Sequence, residues 1–264
     1  MIYLKSVRTA LKRLPKGSDA YDHAYNETMQ RIEGQDKEPR QVAKQVLSWI
    51  TCSKRPLTTL ELQHALAVET GTSELDEENL LEIRDLISVC AGLVIFDEES
   101  NIIRLVHYTT QEYLERTQMT WLPNAQTDIA YTCITYLSLN VFETGFCQKD
   151  EEFEARLQLN PLYDYAARHW GHHAWGSSIE TRQPILDFLE SEPHVSSSSQ
   201  AMMATPSTYV LKDYGQSMTG IHLAAYFGLE NTIMILLKNR CYLNIKDSRG
   251  RTALGVRRVG GTRR

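Results

Sequence analysis

The sequence predicts a mainly helical protein that carries one small β-hairpin. Three observations predict it. Apolar residues recur at helical spacing through residues 40–90, as in Val42, Val46, Leu47 and Ile50. The period changes at Leu93-Val94-Ile95-Phe96 and Ile102-Ile103-Arg104-Leu105-Val106, two β-type runs around a polar turn at 97–101. Helical spacing then returns and persists as far as Ile233, Leu236 and Leu237.

Residues 1–38 read as a helical lead-in, broken at Leu14-Pro15-Lys16-Gly17. Ser18 or Asp19 can cap its second helix, 21–32. Residues 34–39 are polar and rich in breakers, hence a linker. The helix from Arg40 follows. Thr58 then caps a second helix, and Glu61 three residues on completes a capping box. Leu60, Leu62, Leu66 and Ala67 give that helix its apolar side. A third helix, 78–90, has Leu80, Leu81, Ile83, Leu86 and Ile87 as its core and ends at Gly92. The hairpin comes next, then a helix from Thr109 or Thr110 to Arg116. Three helices followed by a hairpin is the order of a winged helix, here 39–117, built around a helix-turn-helix.

Residues 118–195 continue as a helical extension. Residues 129–139 are apolar on one side, 162–175 carry Tyr163, Tyr165, Trp170 and Trp175, and 184–189 form a short last helix. The run Ser196-Ser197-Ser198-Ser199 marks a flexible linker over 196–217. Residues 218–264 open with a helical hairpin. Thr219 can cap its first helix, small Ala224 and Ala225 let the two helices approach, and Gly228 turns between them. Asp247-Ser248-Arg249-Gly250 is a turn sequence.

The stretch 219–254 resembles one ankyrin repeat and the opening of a second. Thr219, His222, Leu223, Ala224 and Ala225 match its T-x-x-H-x-A-A, and Asn244, Asp247, Gly250, Thr252 and Leu254 match its finger turn and next start. Gly220 departs from the pattern's first-turn Pro, Arg240 from its Gly after the second helix, and Gly255-Val256-Arg257 from its His and Ala. The alternative is an unrelated helical hairpin. About three such repeats are needed for stability, so a truncated ankyrin repeat region with a frayed or truncated tail is expected. A real truncated protein and an incomplete gene model read alike here.

Further phrases, in order, resemble fungal NACHT-type proteins. They are Leu14-Pro15 with Tyr21 and Tyr25; Arg55-Pro56-Leu57-Thr58 with Glu61-Leu62 and Ala65-Leu66-Ala67; Val106-His107-Tyr108-Thr109-Thr110 with Glu112-Tyr113-Leu114; and Tyr165-Ala166-Ala167 with Trp170 and His173. The resemblance covers most of residues 11–254. Its winged helix is the kind also named after GPI inositol-deacylase, a name that implies no deacylase activity. The resemblance implies a NACHT NTPase module ahead of the winged helix and ankyrin repeats behind it. The sequence contains no G-x-x-x-x-G-K-[ST] loop, so nucleotide hydrolysis is not expected of this chain alone.

Composition narrows the functions. A length of 264 residues allows more than one module, and 42% hydrophobic with 23% charged residues is ordinary for a globular protein. A net charge of -5 gives no general attraction to nucleic acid or anionic membrane. No apolar run approaches the ~20 residues that span a bilayer, and the N-terminus has no continuous apolar segment of a signal peptide. The five cysteines are odd in number and well separated, which predicts reduced, buried thiols and a cytoplasmic protein.

His107 is the sharpest candidate for chemistry. By resemblance it reports on a nucleotide held by a supplied NACHT module; otherwise it caps or packs against the helix that follows. His169 and His173 stand at the i, i+4 spacing zinc enzymes use, but Trp170 occupies the place of the glutamate and no acidic third ligand is near. Trp170 and His173 therefore read as packing residues and no metal is expected. Gly176-Ser177-Ser178 lacks the strand and second glycine of a serine-hydrolase elbow. Asp150-Glu151-Glu152 reads as a solvated face. Nucleic-acid binding is the rival for a winged helix, but its recognition helix would carry Glu74, Asp76, Glu77, Glu78, Glu82 and Asp85 against Arg84 alone. The basic tail, Arg251, Arg257, Arg258, Arg263 and Arg264, offers only loose anion contacts. No catalytic residue and no cofactor is expected. The expected function is a non-catalytic protein–protein scaffold, with Asn244, Lys246, Asp247 and Arg249 of the ankyrin surface facing a protein partner.

Overall fold

The computed structural model describes residues 18–69, 71–175, 183–204, 218–239, 246–247, 250–252 and 255. In chain order the helices and strands are α1 Ser18–Glu33, α2 Lys37–Cys52, α3 Thr59–Ala67, α4 Ile83–Val89, β1 Val94–Asp97, β2 Ile102–Leu105, α5 Tyr108–Arg116, α6 Gln118–Trp121, α7 Ala125–Leu137, α8 Asp150–Leu159, α9 Tyr163–Ala174, α10 Gln183–Glu190, α11 Glu192–Met203, α12 Gly220–Phe227 and α13 Glu230–Asn239. The protein is mainly helical, as the sequence predicts. The helices form two compact units that interleave along the chain. One takes the chain up to Pro56 together with Glu82–Pro123; the other takes Leu57–Leu81 together with Asn124–Arg264.

In the first unit, α2 packs against α4, α5 and β2, and α1 against α2 and α5. Ala43, Val46 and Leu47 of α2 are fully buried with Met29 and Ile32 of α1, Leu86 of α4 and Leu114 of α5. The hairpin is antiparallel with Val94 opposite Leu105 and Phe96 opposite Ile103. Its turn places Asn101 at φ 53, a left-handed conformation that asparagine tolerates. Arg104 donates to Asp97 across the turn at 3.1 Å and, with the Ser100 backbone, holds that carboxyl below its usual range. Tyr25 and Thr109 join α1 to α5 through their hydroxyls at 2.6 Å, and Arg116 pairs with Asp22 at 2.6 Å.

Two local expectations change here. The linker over 34–39 is shorter, because α2 starts at Lys37 and takes Pro39 into its first turn, where a proline removes no helical hydrogen bond. The helix expected over 78–90 is instead a 3-10 turn, Glu77–Asn79, followed by the separate α4. Leu80, Leu81, Ile83 and Ile87 are only half-buried, and Leu86 and Cys90 carry the contact. The Leu81 carbonyl accepts from Gln63 Nε2 at 2.7 Å, which takes it away from any helical ladder.

In the second unit, α3 packs on α7, and α7, α9, α10 and α11 form the helical core. The capping box at α3 forms as expected: Glu61 N–H donates to Thr58 Oγ1 at 3.3 Å and Thr58 N–H to Glu61 Oε2 at 2.8 Å. Thr58→Ala is expected to cost about 1 kcal/mol in a urea titration, with the midpoint lowered and the slope unchanged. Leu60 does not join the apolar side of α3. It is 55% exposed, because the buried Leu62 and Ala65 lie on the opposite side of the helix.

The serine run overturns the expected linker. Residues 192–203 are α11, with proline in its first turn, and Ser197, Ser198 and Ser199 are buried. Small side chains let α11 close on α9 and α10. Tyr163 donates its hydroxyl to the Ser197 carbonyl at 2.6 Å. Gln200 exchanges two hydrogen bonds with the Cys147 backbone, at 2.9 and 3.0 Å. The rest of the expected linker, 205–217, lies outside the described residues. So does the segment 1–17.

Candidate functional site

Thr219 precedes α12, and its N–H points at His222 Nδ1, 3.3 Å away. The Thr219 hydroxyl lies 2.8 Å from the same nitrogen. His222 Nε2 is 3.1 Å from the Arg251 carbonyl, which can only accept, so Nε2 carries the proton and Nδ1 accepts. The imidazole is fully buried and ties the start of α12 to the turn at 247–251. Gly228 ends α12 at φ 72, a left-handed cap natural to glycine, and sends the chain into α13.

The turn at 247–251 closes on itself. Gly250 N–H donates to the Asp247 carbonyl and Asp247 N–H to the Arg251 carbonyl, each at 2.8 Å. Arg251 gives its own N–H to Asp247 Oδ1 and its Nε to Oδ2, again at 2.8 Å. The four expected partner-facing residues therefore separate. Lys246 is exposed. Asp247 is a correction: its side chain is 1% exposed and its carboxylate is committed to Arg251, so it builds the turn and does not present charge outward. Asn244 and Arg249 lie outside the described residues. Arg251 is corrected as well, since its guanidinium is half-buried on Asp247 and is no part of a loose basic tail. The signal for it was an Asp–Arg spacing of four spanning a glycine turn.

The hairpin rests on the extension. α12 packs against α9, α10 and α11. The Phe227 ring lies edge-on to Trp170, centroids 4.9 Å apart, and to His172 at 5.1 Å. A Cβ at Gly171 would fall 2.1 Å from Phe227 Cγ, and one at Gly220 only 1.9 Å from the Leu189 carbonyl oxygen. The glycine inside α9 and the glycine that opens α12 are thus both demanded by close approach. On α13, Leu229 just before it and Thr232 are fully buried, Met234 is 58% exposed, and Ile233, Ile235, Leu236 and Leu237 are half-buried.

The remaining candidates resolve individually. His107 occupies the N-cap of α5 with an exposed side chain that makes no capping hydrogen bond, and Tyr108 beside it is 76% exposed. His173 is 1% exposed, with Nδ1 2.7 Å from Gln126 Oε1 and Nε2 2.9 Å from the Tyr165 hydroxyl. Both ring nitrogens are engaged in holding α9 to α7 and within α9, which makes it a packing residue. On α4, Arg84 sits 2.8 Å from Glu82 and 4.0 Å from Asp85, so its charge is already met by exposed carboxylates. Burial pushes the Cys90 thiol up to about 12 and raises Cys133 as well, which keeps both protonated and unreactive.

Residues 27–130 match the family model of the GPI inositol-deacylase winged helix domain. The match covers less than half of the chain and runs from within α1 into α7, wider at both ends than the 39–117 read from the sequence. No curated protein and no solved structure matches the chain. The chain therefore contains a winged helix domain followed by a helical extension. Among the described residues, no helix is long and apolar enough to cross a membrane.

Proposed function

We propose that this chain is a non-catalytic interaction and regulatory scaffold, normally coupled to a NACHT NTPase module in the cytoplasm. The observation that carries this reading is the seating of the α12–α13 hairpin. Phe227 and Gly220 anchor it in the extension, while α13 keeps Met234 exposed and an apolar side half-covered. A helical hairpin fixed on one side and apolar on the other suits the ankyrin manner of presenting a surface to a protein. The exposed, uncommitted imidazole of His107 suits the resemblance-based role of contacting a nucleotide held by such a module.

The alternative, a nucleic-acid-binding winged helix, is disfavoured by charge. Phosphate contact needs free lysine and arginine, and the cation of α4 is already matched by two carboxylates. One titration separates the readings. The purified chain is added to labelled duplex DNA at low salt, and separately to a NACHT module loaded with a fluorescent nucleotide. Binding to the module, with nucleotide release slowed and that slowing lost in His107→Ala, supports the scaffold reading. Salt-dependent binding to the duplex with no effect on the module would sink it.

A further inference from the structure

The segment Leu57–Leu81 is inserted between two stretches of the first unit yet belongs to the second. Three attachments hold it there. Leu62 and Ala65 are buried where α3 packs on α7. The Asn140 N–H donates to the Ser73 carbonyl at 2.8 Å. His64 Nδ1 on α3 meets the Tyr136 hydroxyl on α7 at 3.1 Å, the rings 6.1 Å apart and edge-on. We infer that the His64–Tyr136 pair is an acid-sensitive latch that loosens α3 from α7 when His64 takes up a proton.

The argument starts from the phenol. Tyr136 is 1% exposed, and burial lifts its pKa well above the usual range, so it stays an O–H at every relevant pH. The Leu162 backbone amide faces its oxygen as a donor. The hydroxyl proton needs an acceptor, and His64 Nδ1 is in place to be it. That fixes His64 as the neutral tautomer with its proton on Nε2. A proton added to Nδ1 would turn the ring from acceptor to donor and leave the hydroxyl proton of the buried phenol without its acceptor. An unsatisfied buried polar group is the costly arrangement, so the protonated pair favours separation.

The titration runs in the matching direction. Burial lowers the pKa of His64 from its ordinary 6.5, and Glu77, the charged group facing it from the 3-10 turn, opposes this with the smaller effect. From α7 the facing titratable group is Tyr136, which does not ionise. With the attached pKa below the detached one, the latch is intact above pH 6.5. It weakens as the pH falls below that value and is fully spent below the attached pKa. Glu77 cannot substitute for the lost bond, because its carboxylate attracts the imidazolium without giving the phenol an acceptor.

The test is hydrogen exchange by mass spectrometry on the full chain at pH 7.5 and 5.5, with intrinsic exchange rates divided out. Protection of peptides within 59–67 should drop at the lower pH, by at most about tenfold for one proton with a detached pKa of 6.5, while α9 keeps its protection. His64→Gln supplies an amide oxygen that accepts at both pH values, so its 59–67 protection should not change. Tyr136→Phe removes the phenol and should also abolish the pH dependence. The proposal is overturned if wild-type 59–67 shows no pH dependence, or if His64→Gln shows the same drop as wild type.

Discussion

Gly220→Ala is expected to destabilise the second unit by on the order of 3 kcal/mol, the size of a strong overpacking effect with a backbone atom as the obstacle. The added Cβ would sit 1.9 Å from the Leu189 carbonyl oxygen and 2.8 Å from Leu189 Cβ. Neither can step aside cheaply. The carbonyl belongs to the last turn of α10, and Leu189 is only 4% exposed. A domain of this size loses roughly 2–4 °C of melting temperature per kcal/mol, so the melting point should fall by about 6–12 °C. Proline carries the same Cβ. Gly220→Pro should therefore harm this protein as well, although proline is ordinarily well tolerated in the first turn of a helix. A melting temperature within a degree or two of wild type would mean that α12 does not approach α10 so closely.

The second large effect is a change of sign. Alanine normally stabilises a helix interior over glycine by about 1 kcal/mol. Gly171→Ala in α9 should instead cost about 3 kcal/mol, because the methyl group would lie 2.1 Å from Phe227 Cγ. Phe227→Ala should cost about 3–5 kcal/mol, as it empties a site packed on Trp170 and His172. Combined, the two should not add. With the ring gone, the methyl group introduced by Gly171→Ala loses its two shortest contacts and keeps one at 2.6 Å, to the Cβ of residue 227, so the clash is relieved in part. The double variant should therefore lose less than the sum of the two single changes. Urea unfolding of the four proteins should give a coupling energy of about 1–2 kcal/mol on this account. Simple additivity would refute the close seating of Phe227 on Gly171.

Much of this fold was written locally. Thr58 and Glu61 announce their capping box, and the shift to β-branched runs announces the hairpin. The misreadings share a cause: each turns on a contact distant in sequence. Four serines in a row carry the composition of a linker, but Tyr163 and Gln200 find their partners 34 and 53 residues away, and those contacts settle the backbone as helix. Leu60 is as apolar as Leu62, and only the position of α7 decides which of them is covered. The third helix of the winged helix breaks because Gln63 claims the Leu81 carbonyl. At the candidate site, the motif residues of the hairpin were legible and their consequences were not. Asp247 read as a partner-facing residue and His222 only as a match to a pattern, whereas geometry assigns both to holding the turn. Gly220 looked like a lapse from the pattern, whereas Leu189 requires it.

The interleaving of the two units bears on heredity. The chain passes from one unit to the other after Pro56, after Leu81 and after Pro123, so neither unit corresponds to one uninterrupted stretch of coding sequence. A recombination event that copied residues 39–117 elsewhere would carry α3 without α7 and expose Leu62 and Ala65. One that copied the extension alone would leave α7 without its α3. Lineages that shuffle modules should therefore transmit the winged helix and the extension as one block, with breakpoints tolerated only outside both.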